Sequence, residues 1–134
     1  MEKVLHVEIY SPTGKYLVTD VDFLRVTSSV SVLGILPNHA PLITTLEICK
    51  LTLRSNNKET NYAISGGVLH IKKDHTVVML VNAIERSDEI DVNRANEAKR
   101  RAEDRIAKHS DEIDVNRAKA ALARALNRIS ISKE

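Results

Sequence analysis

Five arginines in the last third of the chain are spaced to act together. Arg94 and Arg101 stand seven residues apart, and Arg117, Arg124 and Arg128 follow one another at intervals of seven and four. In a helix those intervals put each set on one face. Guanidinium forks suit phosphate oxygens, so two such faces folded back antiparallel would suit one polyanion. The same spacing also serves an ordinary solvated face, and by themselves the residues leave both readings open. No Gly-x-x-x-x-Gly-Lys loop and no Gly-x-Gly-x-x-Gly run occurs, the devices that cradle phosphates in hydrolytic and dinucleotide pockets. A nucleotide on this chain would therefore lie on a helical surface.

A repeat surrounds these arginines. Ser87-Asp88-Glu89-Ile90-Asp91-Val92-Asn93-Arg94-Ala95 recurs letter for letter as Ser110-Asp111-Glu112-Ile113-Asp114-Val115-Asn116-Arg117-Ala118. Each copy stands where a helix is expected to begin. A Ser or Asp there caps orphan amides, and acids in the first turn oppose the helix dipole. Asp91 with Arg94, and Asp114 with Arg117, have the i,i+3 spacing of an ion pair.

Other chemistry is sparse. His6, His39, His70, His75 and His109 show no ligand spacing, so no metal site is expected. Ser65-Gly66-Gly67 lacks the surroundings of a nucleophile elbow, and Cys49 has no recognisable His partner. No catalytic constellation emerges, which points to a binding or regulatory protein.

Two kinds of element must position these residues. All four glycines, all three prolines and all four aromatics precede residue 68, whereas residues 85–134 hold 23 charged side chains in 50. Turn and strand formers thus lie on one side and helix formers on the other, with the boundary near Ala83–Ser87 and the two parts expected at 1–84 and 85–134. In residues 4–10, Leu5, Val7 and Ile9 alternate with polar neighbours at the period of a half-buried strand. Residues 23–27, 47–54, 62–65, 68–71 and 76–80 are further short β-rich runs, with Ser11–Gly14, Asn56-Asn57 and Lys73-Asp74 as turns. Gly66-Gly67 interrupts a strand pattern and predicts a bulge. Ala95, Ala98, Ala102 and Ile106, then Ala118, Ala121, Leu122, Ala125 and Ile129, mark two helices bent at Lys108-His109-Ser110. Their mostly alanine seam buries little area and makes a weak clasp.

Composition narrows the class. Hydrophobic residues are 43% of the 134 and charged residues 28%, ordinary for a globular chain. Apolar runs reach about five residues, too short to span a bilayer, and Met1-Glu2-Lys3-Val4 does not open like a signal peptide. One cysteine makes no internal disulfide and fits a reducing compartment. A net charge of +2 is too slight for a nucleic-acid protein.

Leu33-Gly34-Ile35-Leu36-Pro37-Asn38-His39-Ala40-Pro41-Leu42, together with Ala63-Ile64-Ser65-Gly66-Gly67-Val68-Leu69, resembles the epsilon subunit of the F-type ATP synthase over the whole chain. The resemblance implies an α+β protein in two parts, an N-terminal antiparallel β-sandwich of about ten strands and a C-terminal antiparallel two-helix hairpin. It implies a non-catalytic rotor subunit: the sandwich binds the gamma subunit and rests on the c-ring, and the hairpin restrains ATP hydrolysis when it extends to the alpha3–beta3 ring. A bacterial subgroup binds ATP on the folded hairpin through Ile/Leu-Asp-x-x-Arg-Ala, matched here by Ile90, Asp91, Arg94 and Ala95. The family's further nucleotide contacts fall on Glu85, Arg101, Arg124 and Arg128, with ATP a regulatory ligand and no cofactor required. Ser31, Val32 and His39 match the gamma and c-ring contact region, although the family's Gly-Glu/Asp-Leu-Gly is Ser31-Val32-Leu33-Gly34 here. The implied location is the cytoplasmic face of a bacterial cell membrane, peripheral and without nucleic acid. Outside this family, the same features would fit a stand-alone adaptor whose hairpin binds a partner helix bundle. An ATP-hydrolysing enzyme would need a phosphate loop, a metal-binding acid pair and a general base that the sequence lacks.

Overall fold

Alternation at period two governs the first part of the computed structural model, which describes residues 4–108 and 112–132, without the side chains of Glu112 and Ile113. Eight strands form: β1 (Leu5–Ser11), β2 (Gly14–Val21), β3 (Phe23–Thr27), β4 (Val32–Ile35), β5 (Leu42–Ser55), β6 (Lys58–Ile71), β7 (Val77–Val81) and β8 (Ile84–Arg86). They follow the order β2-β1-β7-β6-β5-β3-β4, with β8 added to β6. Leu5, Val7 and Ile9 of β1, Leu51 of β5, Ile64, Leu69 and Ile71 of β6, and Val77 and Met79 of β7 are almost wholly removed from solvent and share one core.

The sandwich is built with fewer strands than the expected ten because two of them are long. β5 and β6 run 14 residues each and serve both layers. β6 pairs with β7 over 67–71 and with β8 over 62–64. Gly66 and Gly67 make the change of partner possible. Ser65 faces Ile48 and Gly67 faces Leu46, and the φ angles of Gly66 and Gly67 are 93° and 149°. A Cβ at Gly67 would lie 2.1 Å from the Leu80 carbonyl oxygen, so no side chain fits. The predicted runs 62–65 and 68–71 are therefore one bulged strand.

Two further expectations are corrected. β2 and β4 form strands that the sequence reading did not assign, and the sheet is not purely antiparallel, since β1 pairs in parallel with β7. The Asn56-Asn57 turn between β5 and β6 forms as expected, with φ of 54° and 64°, left-handed values that match hairpin twist.

The chain divides into Met1–Arg86 and Ser87–Glu134. β8 carries the sheet to Arg86, two residues beyond the boundary drawn from composition. The second unit holds a 3-10 turn (Ser87–Glu89), α1 (Val92–Ala107) and α2 (Glu112–Ser132). Lys108 is the C-cap of α1, its amide donating to Asp104 O at 3.0 Å. His109 and Ser110 of the expected bend lie outside the described residues.

Candidate nucleotide and partner-contact sites

The seam between α1 and α2 fixes where the arginines go. Ala95 and Ala102 of α1 and Ala118 and Ala125 of α2 are buried, and each follows an arginine: Arg94, Arg101, Arg117 and Arg124. One residue back is about 100° around a helix, so each arginine stands on the rim of the seam. Helices joined this briefly run antiparallel and are related by a two-fold axis normal to their common plane. Such an axis leaves each flank on its own side, so all four arginines fall along one flank. Arg128 follows Arg124 one turn later. Arg94, Arg101 and Arg117 are exposed, and Arg124 and Arg128 are half-buried. Arg101 Nη1 lies 4.0 Å from Glu97 Oε2, an exposed i,i+4 pair of about 0.3–0.5 kcal/mol that a stronger anion would displace.

The head of α1 shows how Ile90, Asp91, Arg94 and Ala95 divide their work. Ile90 is 8% exposed and Ala95 3%, so both are packing residues. Asp91 is the N-cap, with φ −81° and ψ 102°, and its Oδ1 accepts the Arg94 backbone N–H at 3.1 Å. The expected Asp91–Arg94 ion pair is absent because the carboxylate serves the backbone amide. Arg94 points its charge outward. Glu85 sits on β8 opposite Ala63 and so belongs to the sheet unit, while the other seven nucleotide candidates belong to the helical unit.

The second copy of the repeat is built differently. α2 is already helical at Glu112, so Asp114 is its third residue and cannot cap it. Identical nonapeptides thus take two conformations.

In the sheet unit, Ser31 and Val32 open β4 and His39 follows its other end, so the three do not form one cluster. Ser28 builds the turn before β4: its Oγ donates to Ser31 O at 2.8 Å and accepts from Val30 N and Ser31 N at 3.2 and 3.0 Å. This rigid turn leaves Val30 87% and Val32 63% exposed. His39 Nδ1 lies 2.8 Å from Ala40 O, and its own carbonyl meets His75 Nδ1 at 3.0 Å.

One feature escaped the sequence reading. On the outer face of β1, β5, β6 and β7, Ile43, Val68 and Leu80 are exposed large apolar residues. Val68 sits opposite Leu80, and Leu80 opposite Tyr10, so the apolar surface is continuous across strands. Contiguous exposed apolar area marks interaction sites. The signal was present in the strand alternation, where Ile43, Val68 and Leu80 occupy the positions that a lone sheet would give to polar residues. Among the described residues no group of His, Cys, Asp and Glu could hold a metal.

Comparison with known proteins agrees with both units. The model of the ATP synthase delta/epsilon chain β-sandwich domain matches residues 4–87, and that of the delta/epsilon long α-helix domain matches residues 88–133. The chain belongs to the ATP synthase delta/epsilon family. Among its relatives, the ATP synthase epsilon chain of Pelotomaculum thermopropionicum is 44% identical over 107 residues, covering 80% of this chain and 79% of that one. That of Bacillus licheniformis is 38% identical over 106 residues, covering 79% and 80%. In fold, the chain is similar to one in the Euglena gracilis mitochondrial ATP synthase (OSCP, F1 and c-ring, rotational state 1), with TM-score 0.85 and 18% identity over all of this chain and 84% of that one. Epsilon chains are non-catalytic stalk subunits, so the chain serves ATP synthase without being itself an enzyme. No helix among the described residues is long and apolar enough to cross a membrane.

Proposed function

We propose that this chain is a rotor subunit of a proton-driven bacterial ATP synthase whose helical hairpin restrains ATP hydrolysis and is held folded by ATP. The observation that carries this reading is the row of Arg94, Arg101, Arg117 and Arg124 on one flank of the seam, continued by Arg128. Like charges gathered along a flank repel, and a polyanion seated among them removes that cost. A ligand that binds one of two states shifts the population toward it by its differential affinity. High ATP then keeps the helices folded and the brake off. When ATP is scarce they extend toward the alpha3–beta3 ring.

The sheet unit supplies the anchorage in this reading. The apolar outer face of Ile43, Val68 and Leu80, with His39 near its margin in sequence, suits the gamma subunit. The turn at Ser31 and Val32 suits the c-ring, through an apolar contact where the family commonly carries an acid. The chain would thus sit at the cytoplasmic face of the membrane as a peripheral component of the complex.

Calorimetric titration of the isolated chain with ATP and with ADP tests the nucleotide site: ATP binds and is not turned over, and absence of binding at millimolar ATP refutes it. ATP synthase reconstituted with the chain ending at residue 86 tests the brake. Hydrolysis faster than with the full chain is expected, and equal inhibition by the two overturns the division of labour.

A further inference from the structure

The repeated nonapeptide is a comparison that the protein makes with itself. Glu89, Ile90 and Asp91 lie outside α1, as the end of a 3-10 turn, a buried isoleucine and an extended N-cap. Glu112, Ile113 and Asp114, the same three residues in the same sequence surroundings, lie inside α2. Nothing local to these nine residues therefore decides between the two backbones. We infer that Glu89–Asp91 is a helix–coil joint: the three residues can enter α1 as their twins have entered α2, moving the start of α1 from Val92 to Glu89.

Each side of this equilibrium is equipped. In the capped form, Asp91 holds the Arg94 amide and Ile90 is buried. In the grown form, Asp88 stands directly before the new first residue, at the N-cap position, and caps the longer helix in place of Asp91. Acidic residues sit near the helix start in both forms, so the dipole favours neither. The cap is exchanged rather than lost. What distinguishes the forms is the burial of Ile90, gained in one, against the added backbone hydrogen bonds of one more turn, gained in the other. Extended residues advance about 3.3 Å each and helical ones about 1.5 Å. Growth by three residues therefore shortens this stretch by about 5 Å, and the joint sets the length of chain between β8 and the helices. This inference stands apart from nucleotide binding and needs no ligand.

Proline distinguishes the two forms. At Val92 in the capped form it occupies the first helical position, where its missing N–H costs nothing, and the extended Asp91 already has the conformation that a following proline demands. In the grown form the same proline falls in the fourth position, where it removes a needed donor and clashes. The test uses the full chain labelled with 13C and 15N. In Asp91→Ala the Cα shifts of residues 89–91 move to helical values, those of residues 112–114 stay where they are, and Val92→Pro added to Asp91→Ala returns residues 89 and 90 to non-helical values. Ile90→Ala, which leaves the cap intact, shifts Glu89 in the helical direction as well. A folded Asp91→Ala chain with unchanged shifts at 89 and 90 overturns the inference. If Asp91→Ala does not fold, relaxation dispersion at Glu89 and Ile90 decides: dispersion in the wild type that Val92→Pro abolishes supports the joint, and equal or absent dispersion in both overturns it.

Discussion

The sheet unit and the helical unit close on different materials. Leu5, Ile9, Leu51, Ile64, Leu69 and Met79 fill the core of the first, while Ala95, Ala102, Ala118 and Ala125 line the seam of the second. Fully burying a large aliphatic side chain stabilises by roughly 1.5–3 kcal/mol. An alanine contributes a single methyl, on the scale of about 0.8 kcal/mol per buried carbon. Small side chains let α1 and α2 approach closely and release each other cheaply. A rotor subunit that must stay on its stalk while its brake engages and disengages needs this difference within one chain. Stability is concentrated where attachment is permanent.

The largest expected effects break this contrast outright. Ile64→Ala removes a wholly buried side chain from the sheet core and is expected to cost about 2–5 kcal/mol, whereas Ala102→Gly in the seam costs about 1 kcal/mol. Denaturant titration should read both, with Cys49 as the reporter. Its thiol is buried, and burial pushes its pKa up, so alkylation at neutral pH should follow opening of the sheet and ignore opening of the helices. Fast Cys49 labelling in Ala102→Gly would show that the units do not open separately.

Proline at the twin valines comes next. Val115 is the fourth residue of α2, so Val115→Pro should destabilise the helical unit by about 3 kcal/mol. Val92→Pro, at the first position of α1, should fall within about 0.5 kcal/mol of wild type. Helical circular dichroism during thermal melting distinguishes them, and equal losses would mean that the two copies share one conformation after all.

Arg94→Ala is expected to weaken ATP binding by about 1.5–3 kcal/mol, the size of a lost charged hydrogen bond. Asp114→Ala, inside α2, should leave binding nearly unchanged. Calorimetry with each variant sharpens the comparison between the copies, and equal weakening would remove the first copy as the nucleotide motif.

Asp74 offers the smallest test. Its carboxylate accepts the Thr76 amide at 3.0 Å, and that bond to Thr76 holds its pKa below the usual carboxylate value. A group lowered on folding stabilises above its unfolded pKa and loses that contribution as pH falls through its folded one. Acid titration of Asp74→Asn should therefore show slightly less loss of sheet stability at low pH than wild type, with the helical unit unaffected.

Much of the fold could be read from residue types, and the misses have physical causes. Alternation in residues 4–10 is visible because one face is buried and the other wet. β2 was harder because Tyr16, Leu17 and Thr19 are only partly buried, which blurs the period. The count of ten strands failed at Gly66-Gly67, where the same glycines that signal a break also permit an unbroken strand to change partners. The alanine spacing located the seam, and the Arg-Ala dipeptides then placed the arginines. What no local rule could give is that one nonapeptide has two structures, since that difference arises from the flanking chain and the packing around each copy. The apolar face of Ile43, Val68 and Leu80 was legible in composition yet invisible until pairing set these residues side by side.

The parallel pairing of β1 with β7 has a consequence for how the chain is made. Val7 meets Val77, seventy positions later, so the first strand synthesised waits for nearly the last strand of the sheet. Until then the β1–β2 hairpin presents a bare edge of unpaired amides and carbonyls, a template for association with other chains. Closing so long a loop is entropically slow, and the sheet cannot seal until β7 has left the ribosome. The charged helices emerge only afterwards. They leave the tunnel while the sheet is completing, and a nascent chain stalled before residue 77 should be the form most dependent on chaperones.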